Sequence, residues 1–132
     1  MDGQTGVVNN ADTWEGMDPL SYALYYAGDL FCHQKEARSL ILNDNQMPVC
    51  ARDAGLFLGA PLGFLFLWLY PRNVPWAIII LMAVPMVLDG SIQLVTEYES
   101  NNTMRLLTGT GAGAALAFGM IRIFDDFMNV RR

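Results

Sequence analysis

Two cysteines, the single histidine and a set of dispersed acids and arginines are the residues of this 132-residue chain equipped for chemistry. The densest group is Cys32-His33 followed by Cys50-Ala51-Arg52-Asp53. It offers one imidazole, two potential thiolates and a carboxylate, a donor set that suits a tetrahedral Zn²⁺. The spacing matches no standard zinc finger, so convergence must come from the fold. Three readings stand open at this point. Cys32, His33, Cys50 and Asp53 could hold a metal, Cys32 and Cys50 could form a disulfide or redox pair, or the cysteines could be packed beside a hydrogen-bonded histidine. Two cysteines fit a disulfide by count, but nothing in the sequence marks an oxidising compartment.

A second group is Asp89, Gln93 and Glu97, which a continuing helix would stack on one side because they are spaced i, i+4, i+8. Asp89 and Glu97 are candidates for proton transfer. Arg38, Arg52 and Arg105 are candidates for binding an anionic headgroup bidentately, with Gln93 as a polar neighbour. A charge at membrane depth is costly unless paired. Asp89 is therefore expected to pair with Arg52 or Arg105. P-loop, nucleophile-elbow, dinucleotide-binding and HExxH motifs are absent from the sequence.

The elements that must position these residues are helices in a membrane. Hydrophobic residues make up 53% of the chain and charged residues 16%, and the apolar ones fall in long blocks. Ala54–Tyr70 carries no charge and is stopped by Pro71-Arg72-Asn73. Val74 to about Thr96 gives a second span with a polar end, and Leu106 to about Phe124 a third, with Arg122 close enough to its end to snorkel. Trp68, Tyr70 and Trp76 flank the first turnaround, where an aromatic belt belongs. Gly55, Gly59 and Gly63, and likewise Gly109 and Gly113, recur every fourth residue and mark faces where helices approach closely. Pro61 and Pro85 predict kinks.

Ahead of the spans, Asp18-Pro19 reads as an N-cap and first helical position. The apolar stripe of Leu20, Ala23, Leu24, Ala27 and Phe31, with Tyr22, Tyr25 and Tyr26 beside it, predicts an interfacial amphipathic helix over residues 19–32. Residues 43–49 have loop chemistry. The expected fold is all-α, with a polar tail at 1–18 and one helical membrane domain at 19–132. The tail has no signal-peptide pattern, so targeting falls to the first span.

Three spans bring the start of the first, the end of the second and the start of the third to one face, and with them both chemical groups. Lys35, Arg38, Arg52 and Arg105 lie on that side, and Arg72, Arg122, Arg131 and Arg132 on the other. The positive-inside rule therefore sets no orientation; reduced thiols at a metal site favour a cytoplasmic motif face. The net charge of −5 excludes a basic nucleic-acid footprint. A single lysine beside thirteen acids fits a salt-adapted archaeal surface.

Four ordered segments carry a resemblance: CHQKEARS at Cys32–Ser39, QMPVCARDAG at Gln46–Gly55, LDGSIQL at Leu88–Leu94 and ESNNTMRLLTG at Glu99–Gly109. With them the chain resembles a family of small predicted membrane proteins of archaea and bacteria whose function is unknown. Many members of that family carry CARCTG and a histidine before the glutamine of the central loop, where this chain has Asp53 and Asn45. A carboxylate is a harder ligand than a thiolate.

The function expected from the residues is a multi-pass cell-membrane protein with a Zn²⁺ site at one bilayer face, able to act as an enzyme on a lipid or isoprenoid substrate. The alternatives are a subunit of a small homo-oligomeric transporter or channel, with Asp89, Gln93 and Glu97 along an ion path, and a non-catalytic structural or assembly factor. One protomer of three spans encloses little, so transport would require oligomerisation.

Overall fold

The computed structural model describes residues 8, 12, 14–42, 44–70 and 73–130, without the side chains of 129 and 130. The 1–18 tail, the Pro71-Arg72 stop, Asn43 of the central loop and the basic Arg131 and Arg132 thus lie wholly or largely outside the described residues. The chain runs α1 (Pro19–Phe31), a 3₁₀ turn (Glu36–Arg38), β1 (Ser39–Leu42), β2 (Asn45–Cys50), α2 (Ala51–Leu69), α3 (Trp76–Val95) and α4 (Asn102–Val130).

Three helices are long and apolar enough to cross a membrane: Ala51–Leu69, Trp76–Val95 and Asn102–Met128. At about 1.5 Å per residue each reaches or exceeds the roughly 30 Å hydrocarbon core, or nearly so for α2. Their outward side chains are large and apolar, as lipid demands: Phe57, Leu58, Leu81, Val87 and Leu107 are all exposed.

Backbone contact holds α2 to α4. A Cβ added to Gly55 would lie 2.3 Å from the Leu106 carbonyl oxygen, and one on Gly59 2.0 Å from that of Thr110. From the other side, Cβ atoms on Gly109 and Gly113 would meet the carbonyl oxygens of Arg52 and Leu56 at 2.2 and 2.3 Å. The glycine repeats of the two helices therefore face each other, and nothing larger fits. α3 packs more loosely on α4, through a cluster of Leu67, Ile79, Ala115 and Phe118; Ile79 is its one buried residue.

α1 is capped as expected, with the Ser21 N–H donating to the Asp18 carboxylate at 3.1 Å. Leu20, Leu24 and Phe31 remain exposed along it, which leaves an apolar surface at the level of the bilayer boundary. Its other side is fixed to the protein: Gly28 lies so close to β2 that a Cβ would sit 2.0 Å from the Pro48 carbonyl oxygen, and the Tyr25 hydroxyl donates to the Gln46 carbonyl. Trp14, fully buried, packs its ring against Tyr22 and Tyr25 at 5.6 and 6.3 Å.

Two features depart from the sequence reading. Most of the loop expected over 43–49 is strand: β1 and β2 form an antiparallel hairpin with Ser39 opposite Cys50, Ile41 opposite Gln46 and Leu42 opposite Asn45, and an irregularity between Ser39 and Ile41. With only two strands each has a free edge, which is where Pro48 can be tolerated. The mostly helical fold thus carries a small β element. The second departure is that α3 stops at Val95. Thr96 takes an extended conformation (φ −132°), its N–H and its hydroxyl both donating to the Ile92 carbonyl at 3.0 and 2.7 Å. Glu97 therefore falls beyond the helix, exposed, and does not stack on Asp89 and Gln93.

Candidate functional site

α1 ends at Phe31 and β2 ends at Cys50, and the two ends meet. The Cys50 N–H donates to the Cys32 sulfur at 3.1 Å, and the Cys50 thiol donates to Asp53 Oδ2 at 3.2 Å. Asp53 reaches back from the first turn of α2, three residues on, as a helical turn allows. Among the described residues, one ligand atom from each of Cys32, Cys50 and Asp53 lies within 4.8 Å of the others. Both cysteines are buried free thiols, so no disulfide joins them.

Interaction with Cys50 raises the Cys32 pKa and interaction with Cys32 lowers that of Cys50, while burial works against ionising either. Cys50 is thus the more readily ionised of the two.

His33 is not a member of this group. The backbone at Cys32 is extended (φ −131°, ψ 144°), so the next side chain points the other way; Cys32 and Gln34 are buried and His33 only partly so. Its Nδ1 accepts the Lys35 N–H at 3.4 Å. Burial, then the charges of Arg38 and Lys35, hold its pKa below the usual value.

Next to the thiols lies a continuous polar network. Arg52 forms an ion pair with Asp89 across the α2–α3 gap. The same carboxylate oxygen accepts from Gln93 Nε2 at 3.0 Å and from the Ser100 hydroxyl at 3.1 Å. Gln93 also donates to Ser100 at 2.6 Å and accepts from Arg105 at 3.5 Å. Arg105, only 3% exposed, donates to Asn102 at 3.2 Å, whose amide in turn reaches the Ser39 carbonyl of β1 at 3.1 Å. Arg38 pairs with Glu99 at 2.5 Å and holds its pKa below the usual carboxylate range. Each of the three arginines thus has a partner inside the protein, and Asp89 has the basic partner that its depth requires.

Sequence reasoning missed Gln34, Ser39, Gln46, Glu99, Ser100 and Asn102. Gln34, fully buried and at a positive φ of 43°, donates to the carbonyls of Tyr25 at 3.1 Å and Pro48 at 2.8 Å. Gln46 donates to the Gln34 carbonyl at 2.6 Å and to the Ser39 hydroxyl at 3.2 Å. These residues tie α1 to the hairpin and the hairpin to α4. The signal was available, since all six lie inside three of the four matching segments.

One large cavity adjoins the network, about 820 Å³ between α3 and α4. His33, Arg38, Arg52, Ser91 and Gln93 line its polar part, and mostly apolar side chains the rest.

An ordered polar face on three apolar helices defines a small multi-pass membrane protein. The chain belongs to the family described as "Predicted membrane protein (DUF2085)", which matches residues 32–119. It is 35% identical over 118 residues to an uncharacterized protein of Methanocaldococcus jannaschii, covering 83% of this chain and 73% of that one. An uncharacterized protein of Methanothermobacter thermautotrophicus is 38% identical over 89 residues, 65% of this chain and 80% of its own. No solved structure matches.

Proposed function

We propose that the protein is a membrane-embedded metal protein, with Cys32, Cys50 and Asp53 as ligands of a Zn²⁺ ion and its chemistry directed to a lipid or isoprenoid substrate at the same bilayer face. The observation that carries this reading is the approach of two thiols and a carboxylate to within 4.8 Å of one another. The donor set fits: two sulfurs and an oxygen occupy three tetrahedral positions and leave a fourth open, the pattern of sites that meet a substrate. The hydrogen bond from the Cys50 thiol to Asp53 supports it too, because a metal would displace that proton and take both sulfurs as thiolates. In this reading Asp89 positions Arg52, to which it is bonded, and the arginines and Gln93 form the substrate side of the face. Glu97, exposed beyond α3, stays a candidate for proton transfer in this reading.

The test is the metal content of the purified chain after growth in defined medium with zinc. The expected result is about one Zn²⁺ per chain, falling at least tenfold in Cys32→Ser, Cys50→Ser and Asp53→Ala. His33→Ala should keep its metal, since His33 stands apart from the group. Wild-type protein that holds no metal, even after reconstitution with Zn²⁺, would overturn the reading.

A further inference from the structure

The cavity between α3 and α4 follows the membrane-spanning helices for much of their length, with lining residues from Trp76 to Leu94 on α3 and from Ala112 to Ile123 on α4. That is about 27 Å of α3 at about 1.5 Å per residue. Small side chains create the gap: Ala83 on α3 and Ala112, Ala115 and Gly119 on α4 all line it. Its volume, about 820 Å³, falls in the range of small-ligand sites, roughly 300–1,000 Å³.

The two ends differ in kind. The far end is walled by Trp76, Met120 and Ile123; the motif-face end carries His33, Arg38 and Arg52, and among the described residues no carboxylate lines the cavity. Asp89 and Glu99 engage the two guanidiniums from outside the cavity lining. A guanidinium has five N–H donors, so one carboxylate partner leaves each of them donors to spare. The cavity thus joins an apolar slot to cationic side chains at its mouth, the complement of an anionic amphiphile.

We propose that the α3–α4 cleft binds a phosphate-headed lipid with a single hydrocarbon chain, drawn from the surrounding bilayer, its chain along the small-residue wall and its phosphate against Arg38 and Arg52. This names the substrate class for the face described above; it rests on that reading for any reaction, but not for binding.

The test uses the full chain in a detergent with a neutral headgroup, titrated calorimetrically with hexadecyl phosphate, farnesyl phosphate, hexadecanol, farnesol and inorganic phosphate. At least one phosphate amphiphile should bind one to one, at least tenfold tighter than its alcohol and than inorganic phosphate. Arg38→Gln should weaken that binding at least tenfold. Ala83→Phe should abolish it by filling the slot, and Met86→Trp provides the same test where Ala83→Phe does not fold. Equal affinity for phosphate and alcohol, tighter binding of inorganic phosphate, or unchanged affinity in both slot-filling variants overturns the proposal. Metal content measured on the same samples separates the two readings. Metal-free protein that binds the amphiphile removes only the Zn²⁺ site, and metal-loaded protein that does not bind it removes only the cleft.

Discussion

Cys50 serves two neighbours at once, its N–H going to the Cys32 sulfur and its thiol to Asp53, and this explains which part of the site could be read in advance. Cys50 and Asp53 are one helical turn apart, and a short excursion after α1 returns Cys32 to the same mouth, so their meeting follows from spacing and topology. His33 stands apart from them, because adjacency in sequence is not adjacency in space. In extended backbone successive side chains point to opposite faces, and Cys32 and His33 are divided in this way. The pairing of Asp89 was legible from cost alone, since a carboxylate within a span needs a partner. Its loss has a definite expected effect: Asp89→Ala leaves Arg52, 20% exposed in its side chain, without its counter-charge. Thermal unfolding in detergent should show destabilisation by about 3 kcal/mol, against no measurable change for Asp12→Ala at an exposed position. Equal melting of the two variants would refute the structural role of the pair. Gln34→Ala should cost about 2 kcal/mol by leaving the Tyr25 and Pro48 carbonyls unbonded, with exposed Lys35→Ala as the control; equal stability of these two would show that Gln34 does not hold α1 to the hairpin.

The helices were legible because hydropathy and glycine spacing are strong signals in a membrane, where packing depends on close backbone approach. Boundaries shifted where local chemistry outweighed hydropathy. α2 starts at Ala51 and so takes in Arg52 and Asp53, and α4 starts at Asn102 with Arg105 turned into the polar network. The hairpin was illegible because its stability is not in its own residues. Asn45, Gln46 and Pro48 are poor strand formers, and what holds β2 is Gln34 and Tyr25 from outside the hairpin. At this scale the decisive substitution is Gly59→Ala. Its new Cβ would lie 2.0 Å from the Thr110 oxygen, an overlap that only separation of α2 from α4 can relieve. A loss of about 2 kcal/mol is expected, while Leu58→Ala, on the exposed neighbouring face, should change stability little. Should Gly59→Ala unfold at the wild-type midpoint, the glycine faces do not set the helix spacing.

The molecule as a whole is polarised along its helices. The starts of α2 and α4 and the end of α3 converge on one face, joined by Arg52–Asp89 and Arg105–Gln93, and the hairpin and α1 are tied to the same face through Asn102, Gln34 and Tyr25. Among the described residues the opposite end carries the Arg122–Asp126 pair at 3.4 Å on α4. Because α1 lies on the motif face and three spans follow, an odd number of crossings separates the N-terminal segment from the end of α4. The count of apolar blocks predicts this parity, whereas it sets no orientation, the basic residues being divided evenly. Parity can be tested with Asp12→Cys and Met128→Cys, both at exposed positions, against a background kept low by the burial of Cys32 and Cys50. In sealed vesicles of uniform orientation, a membrane-impermeant maleimide should label one variant from outside and the other only after the vesicles are opened. Labelling of both from the same side would require an even number of crossings, and would take either α2, α3 or α4 out of the membrane or send α1 through it.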